Sequence, residues 1–119
     1  MEAANELCGV GSKRCVPCRG GVEPLRGAAL ERYRGQIDAA WEVRDEKMLE
    51  RSFKFRDFQG ALAFTNAVGR VAEEEGHHPE ITLTWGRVTV RLWTHKIDGL
   101  HENDFILAAK IDHMISLNS

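Results

Sequence analysis

The sequence predicts an α+β fold, a four-stranded antiparallel sheet with helices packed on one face. Three observations carry that prediction. Two pairs of short alternating apolar runs are each joined by a tight turn, one amphipathic helix lies between the pairs, and another ends the chain. Strands joined by turns this short run antiparallel, and helices placed between and after them cover one side of the sheet.

Residues 1–21 have low apolar density, carry all three cysteines and end in Gly20-Gly21, so they read as an irregular arm outside the main domain, residues 22–119. Glu23-Pro24 opens the first helix, because proline suits the first helical position, and Leu25, Ala28, Ala29 and Ile37 fit one loose apolar stripe. Trp41 to Val43 and Met48 to Phe55 read as strands around a polar Arg44 to Lys47 turn, with Phe53 and Phe55 toward the core. Asp57 caps the central helix, in which Phe58, Leu62, Phe64, Val68, Val71 and Ala72 recur at helical spacing, and Gly76 ends it in the left-handed conformation. Ile81, Leu83 and Trp85, then Val88, Val90 and Leu92, form a hairpin turning at Gly86-Arg87. After Asp98-Gly99 a final helix places Leu107, Ala108, Ile111, Met114 and Ile115 on one face. Trp41, Trp85 and the phenylalanines belong to the core by the phase of their strands and helices.

At 119 residues the chain is one domain with enough core to fold without a metal or a disulfide. A formal charge of -2 with no basic stripe argues against direct nucleic-acid binding. No apolar run approaches the ~18 residues of a membrane span. Met1 to Val10 lacks the order of a signal peptide, so a cytoplasmic location and no membrane partner are expected.

The hairpin carries the chemistry. Turning at Gly86-Arg87, it sets Trp85 against Val88, Leu83 against Val90 and Ile81 against Leu92. Carried outward, the same register sets Glu80 against Trp93 and His78 against His95, with Cβ atoms at most about 5.5 Å apart. Pro79 cannot donate to a ladder and so starts a strand, which leaves His77 and His78 at the rim. Any one of these imidazoles alone reads as a surface or capping residue. Three gathered beside Trp93 make a proton-transfer site, with Trp93 as a stacking surface. Zinc is the competing reading, weakened because adjacent histidines do not easily aim at one ion and no helical His-x-x-x-His occurs.

Glu73-Glu74-Glu75 opposes the negative end of the helix dipole. Glu74 and Glu75 read as a solvated charge run or as a local rule broken for function. Glu73, one turn before His77, is placed to orient that imidazole or to act as a second proton-transfer group. Asp104 falls in the first turn of the last helix, where a structural role is the default, and His101 and His113 are expected to face solvent on that helix. Cys15-Val16-Pro17-Cys18 is a single Cys-x-x-Cys, a weak signal for metal or redox chemistry without a second pair.

Glu73, His77-His78-Pro79-Glu80, Trp85, Trp93-Thr94-His95 and Asp104 together follow the signature of the pterin-4a-carbinolamine dehydratases. The chain resembles that family from about Trp41 to Ile115, including Phe53-Lys54-Phe55-Arg56-Asp57-Phe58, and its arm is similar to an extension found in some bacterial and plant members. The resemblance implies elimination of water from a 4a-hydroxytetrahydropterin to give quinonoid dihydropterin, with no metal or organic cofactor, in homodimers or homotetramers. It implies His77 and His95 as the acid-base pair with Glu73 assisting, His78 binding the ring, and Pro79 and Asp104 within the substrate-binding set. The position of Trp93 is not aromatic in every member, so stacking there rests on the residue itself. His101 stands where the family has a small hydroxyl residue capping the last helix. A second expectation is a non-catalytic binding or dimerisation module, or a role in molybdenum-cofactor metabolism, since some relatives are associated with such roles.

Overall fold

In the computed structural model, which describes residues 9–16 and 22–117, Glu42–Arg44 (β1), Met48–Lys54 (β2), Glu80–Thr84 (β3) and Arg87–Leu92 (β4) form one antiparallel sheet in the order β1-β2-β4-β3. Three helices, Gly27–Arg34 (α1), Phe58–Glu75 (α2) and Glu102–Leu117 (α3), share one core with it. Leu49 lies opposite Leu92 and Phe53 opposite Val88, so one sheet face is apolar and is covered by Phe64, Val68, Leu107 and Ile111 from the helices. Phe53 packs on Phe64 with ring centroids 4.7 Å apart and meets Trp41 edge-on at 6.3 Å. The other face is a ladder of charge. Arg44 bonds Glu50 at 2.8 Å, and Arg91 joins Glu50 at 2.7 Å and Glu80 at 3.3 Å. The Arg44 guanidinium holds the Glu50 carboxyl below the usual carboxylate range.

The β1-β2 connection is the three-residue loop Asp45-Glu46-Lys47, in which Asp45 and Glu46 lie in the left-handed region at φ 54° and 57° and Lys47 N donates to Arg44 O at 2.8 Å. The β3-β4 turn differs from expectation. Thr84 pairs with Arg87 and Leu83 with Val88, so the loop is Trp85-Gly86 and the register is shifted by two residues. Gly86 is needed for proximity: its carbonyl accepts from Phe55 N at 2.8 Å, and a Cβ there would lie 3.0 Å from the Phe55 carbonyl oxygen. Trp85 is thereby pushed to the turn and is 67% exposed, not in the core.

Asp57 caps α2 by accepting from Gly60 N at 2.8 Å, and Gly76 ends it at φ 66°. Its buried face is Ala61, Phe64, Val68 and Ala72; Phe58 and Leu62, expected in that stripe, are exposed. The first helix begins at Gly27, three residues later than expected, because Pro24 packs on Gly99, where a Cβ would come within 2.7 Å of it. Leu30 is that helix's buried residue, while Ala28 is exposed. In α3, residues 103–108 are all buried, a broader face than the expected stripe. Tyr33 of α1 stacks at 5.4 Å on Phe105, and the 3-10 turn Gly9–Ser12 lies along the same helix, so its first turns are enclosed from several sides. Cys8 and Cys18 lie outside the described residues, so of the Cys-x-x-Cys motif only Cys15 and Val16 are described.

Candidate active site

Left-handed Gly76 turns the chain out of α2 and delivers His77, whose amide donates to Ala72 O at 3.2 Å. The His77 ring reaches across to the first turn of α3, where Nε2 lies 2.6 Å from Asp104 Oδ1. Asp104 is 0% exposed. Its other oxygen accepts from Thr94 Oγ1 at 2.9 Å and from His101 N at 3.0 Å, so three donors fix the carboxylate. Thr94 is itself fixed by a two-way bridge with Gly99, its amide donating at 2.9 Å and its carbonyl accepting at 3.4 Å. The loop closed by that bridge carries the 3-10 turn His95–Ile97 and sets the His95 ring against Trp93, centroids 4.4 Å apart and planes inclined by 33°.

His77, His78, Trp93, Thr94, His95 and Asn103 line one cleft of about 410 Å³, together with Gly76, Lys96 and Val16. The three expected histidines therefore meet, though by another route than a shared cross-strand rung. With the register shifted, His78 does not face His95; it pairs with Glu73 at 2.6 Å on the surface. Glu73 orients His78 and not His77, whose partner is Asp104. Pro79 immediately precedes β3 and is half-buried. Asp104 lies behind the site, out of solvent, with His77 in front of it.

His101 is a half-buried cap, not a solvent-facing helix residue. Its Nδ1 accepts from Asn103 N at 3.0 Å while Asp104 accepts from its own amide, a capping box in which imidazole replaces the usual hydroxyl. The pattern His-x-x-Asp before an apolar run was the signal available for it. His113 is also half-buried. Glu75 is no solvated charge. It accepts from Cys15 N at 2.8 Å and pairs with Arg14 at 3.2 Å and Lys110 at 3.8 Å. Burial opposes its ionisation, but the Cys15 amide and the two cations outweigh that and hold the carboxyl below its ordinary value. Burial, with Glu75 and Asp104 nearby, pushes the Cys15 thiol up to about 12. Asn103 has no mark in the sequence, and Thr94 and Val16 enter there only inside the runs Trp93-Thr94-His95 and Cys15-Val16-Pro17-Cys18 with no role of their own, because nothing in their spacing gives them one.

Two imidazoles on one cleft, one seated on a buried carboxylate and one stacked on an indole, can act as proton donor and acceptor toward a bound ligand. The ring nitrogen that carries the proton is set by the bond the other makes. Asp104 accepts from Thr94 and His101, so His77 Nε2–H donates to it and Nδ1 is left for a ligand. Among the described residues no three His, Cys, Asp or Glu side chains gather in metal-holding geometry, and no helix is long and apolar enough to cross a membrane.

A family model described as pterin 4 alpha carbinolamine dehydratase matches residues 23–114. A provisionally named pterin-4-alpha-carbinolamine dehydratase of Rubrobacter xylanophilus is 56% identical over 102 residues, covering 86% of this chain and 94% of its own. Another with that provisional name, from Alkaliphilus metalliredigens, is 50% identical over 100 residues, covering 84% of this chain and 90% of its own. Among solved structures, a Brucella melitensis protein titled transcriptional coactivator/pterin dehydratase superposes with a TM-score of 0.71 at 32% identity, over 77% of this chain and 98% of its own. A pterin dehydratase-like protein titled a RuBisCO assembly factor in the alpha-carboxysome superposes with a TM-score of 0.55 at 27% identity, over 63% of this chain and 88% of its own.

Proposed function

The chain belongs to the pterin 4 alpha carbinolamine dehydratase family, and from that premise we propose that it removes water from a pterin-4a-carbinolamine by histidine acid-base catalysis, in pterin recycling. The observation that carries the reading is the hydrogen-bonded relay from Thr94 through Asp104 to His77, which seats one imidazole on the cleft against a buried carboxylate. In the reaction the C4a–O bond breaks and the hydroxyl leaves as water after taking a proton from an acid. A base removes the proton of the adjacent ring nitrogen, and its electron pair forms the new C=N bond. His77 and His95 divide these two roles. His78, oriented by Glu73, binds the ring together with Pro79, and Trp93 offers a stacking surface. Asp104 acts through His77 as a positioning residue. No metal or organic cofactor enters this scheme, since both proton transfers use imidazoles.

The test is steady-state dehydration of a 4a-hydroxytetrahydropterin. His77→Ala and His95→Ala are expected to lower kcat by about 10²-fold or more with the fold intact by circular dichroism. His78→Ala is expected to raise KM with a smaller effect on kcat. Full activity in the His77/His95 double variant would overturn the assignment.

A second reading, a non-catalytic binding or dimerisation module, is favoured by the names of the two solved relatives, which give coactivator and assembly roles for those proteins. It predicts a folded chain without turnover, so the same assay separates the two.

A further inference from the structure

We propose that Val16, presented by the N-terminal arm, is a substrate-contacting wall of the cleft that sets pterin affinity, with Asn103 as its positioning residue; this rests on the dehydratase reading above. Asn103 is 1% exposed, and its side chain grips one residue of the arm at both ends: Oδ1 accepts from Val16 N at 3.0 Å and Nδ2 donates to Val16 O at 2.6 Å. The preceding residue is held as firmly, Cys15 N donating to the buried Glu75 carboxylate at 2.8 Å and its thiol lying 3.6 Å from Asn103 O. Lys110 reinforces the seat by donating to Gly11 O at 3.2 Å. Buried amides and carboxylates are costly to leave unpaired, so this clamp specifies one position of the arm.

What the clamp presents is an apolar side chain that packs on little of the protein itself. Val16 is 56% exposed and lines the cleft with Trp93 and His95. A flat bicyclic ring with apolar faces and polar edges fits such a setting, its faces meeting valine and aromatic rings while its edges meet imidazoles. The clamp is also adjacent in sequence to the machinery: Glu75 lies two residues before His77, and Asn103 one before Asp104. The arm is thereby anchored to the same two segments that place the imidazole.

The experiment compares dehydration kinetics and equilibrium pterin binding, followed by tryptophan fluorescence, for the full chain and its Val16→Asp, Val16→Ile and Asn103→Ala variants. Val16 is exposed, so its replacement leaves the fold in place. Val16→Asp is expected to raise KM and Kd by roughly tenfold, the size of a lost apolar contact, with kcat within about twofold. Val16→Ile is expected to retain wild-type values, and a folded Asn103→Ala to reproduce the KM rise by releasing the arm. Unchanged KM and Kd in Val16→Asp, or a fall confined to kcat, would overturn the inference while the wild-type activity stands. A wild-type chain that neither binds nor dehydrates a pterin would end the dehydratase reading, and the inference with it, before any variant is made.

Discussion

Asp104 accepts three hydrogen bonds with two oxygens, and one of its donors cannot exchange roles. His101 N is a backbone amide and can only donate, so an asparagine at this position must turn its single oxygen toward it, where the Thr94 hydroxyl can still donate to the same oxygen. Its amide nitrogen would then face His77 Nε2, which has to accept, moving the imidazole proton to Nδ1 on the cleft side. Asp104→Asn is therefore expected to lower kcat by about 10²-fold or more with KM little changed and the pH profile altered, because the imidazole is held in the wrong tautomer. A variant with wild-type kcat and an unaltered profile would show that the buried carboxylate does not tune His77. The sequence made the histidines visible, since His77-His78-Pro79 is a compact motif, yet it paired Glu73 with the wrong ring. Glu73 is one helical turn from His77, but the left-handed turn at Gly76 swings His77 toward α3, and only His78 remains above the end of α2. Asp104 is 27 residues from His77, a separation over which no periodicity speaks.

At the scale of elements, the β1-β2 turn holds Glu46 in the left-handed region at φ 57°, where a side chain is strained and glycine is not. Glu46→Gly is expected to stabilise the fold by roughly 0.5 kcal/mol and to raise Tm by a few degrees, even after the entropy of the added glycine. An unchanged or lower Tm would mean the turn is not strained. The arm gives the pH counterpart. The Glu75 carboxyl is held below its unfolded value of 4.5, so its contribution to docking is fully present above that value and is lost as pH falls through the lower folded one. Protection of the Cys15 amide against hydrogen exchange is accordingly expected to collapse in acid while that of the β2-β4 ladder persists; parallel loss of both would refute a local release. Strand identity and facing were legible because alternation fixes which residues point inward. Register was not, because a slip of two residues leaves every side chain on its own face and changes only its partner. The apolar stripes of α2 and α3 were read too narrowly or turned slightly, since their extent depends on what packs around them, and Phe58, Leu62 and residues 103–108 show both errors.

For the whole molecule, those same exposed residues bear on assembly. Among the described residues β1 and β3 have no further strand outside them, so each leaves a row of backbone groups open to pairing. Phe58 and Leu62 are 44% and 38% exposed on α2. Beside them a groove of about 600 Å³ runs between α2 and α3, lined by Phe55, Ala63, Phe64, Ala67, Met114 and Ile115. A single copy thus leaves apolar helix surface and strand edge in water at once, and pairing with an identical copy is the least costly way to close either. A homo-oligomer of at least two chains is expected in sedimentation at micromolar concentration. Leu62→Lys separates the two possible interfaces: a charge on the helix face is expected to reduce the assembly by one step if helices pack, and to leave it intact if strand edges pair. A wild-type chain that sediments as a monomer and dehydrates its substrate at full rate would show that neither surface is used.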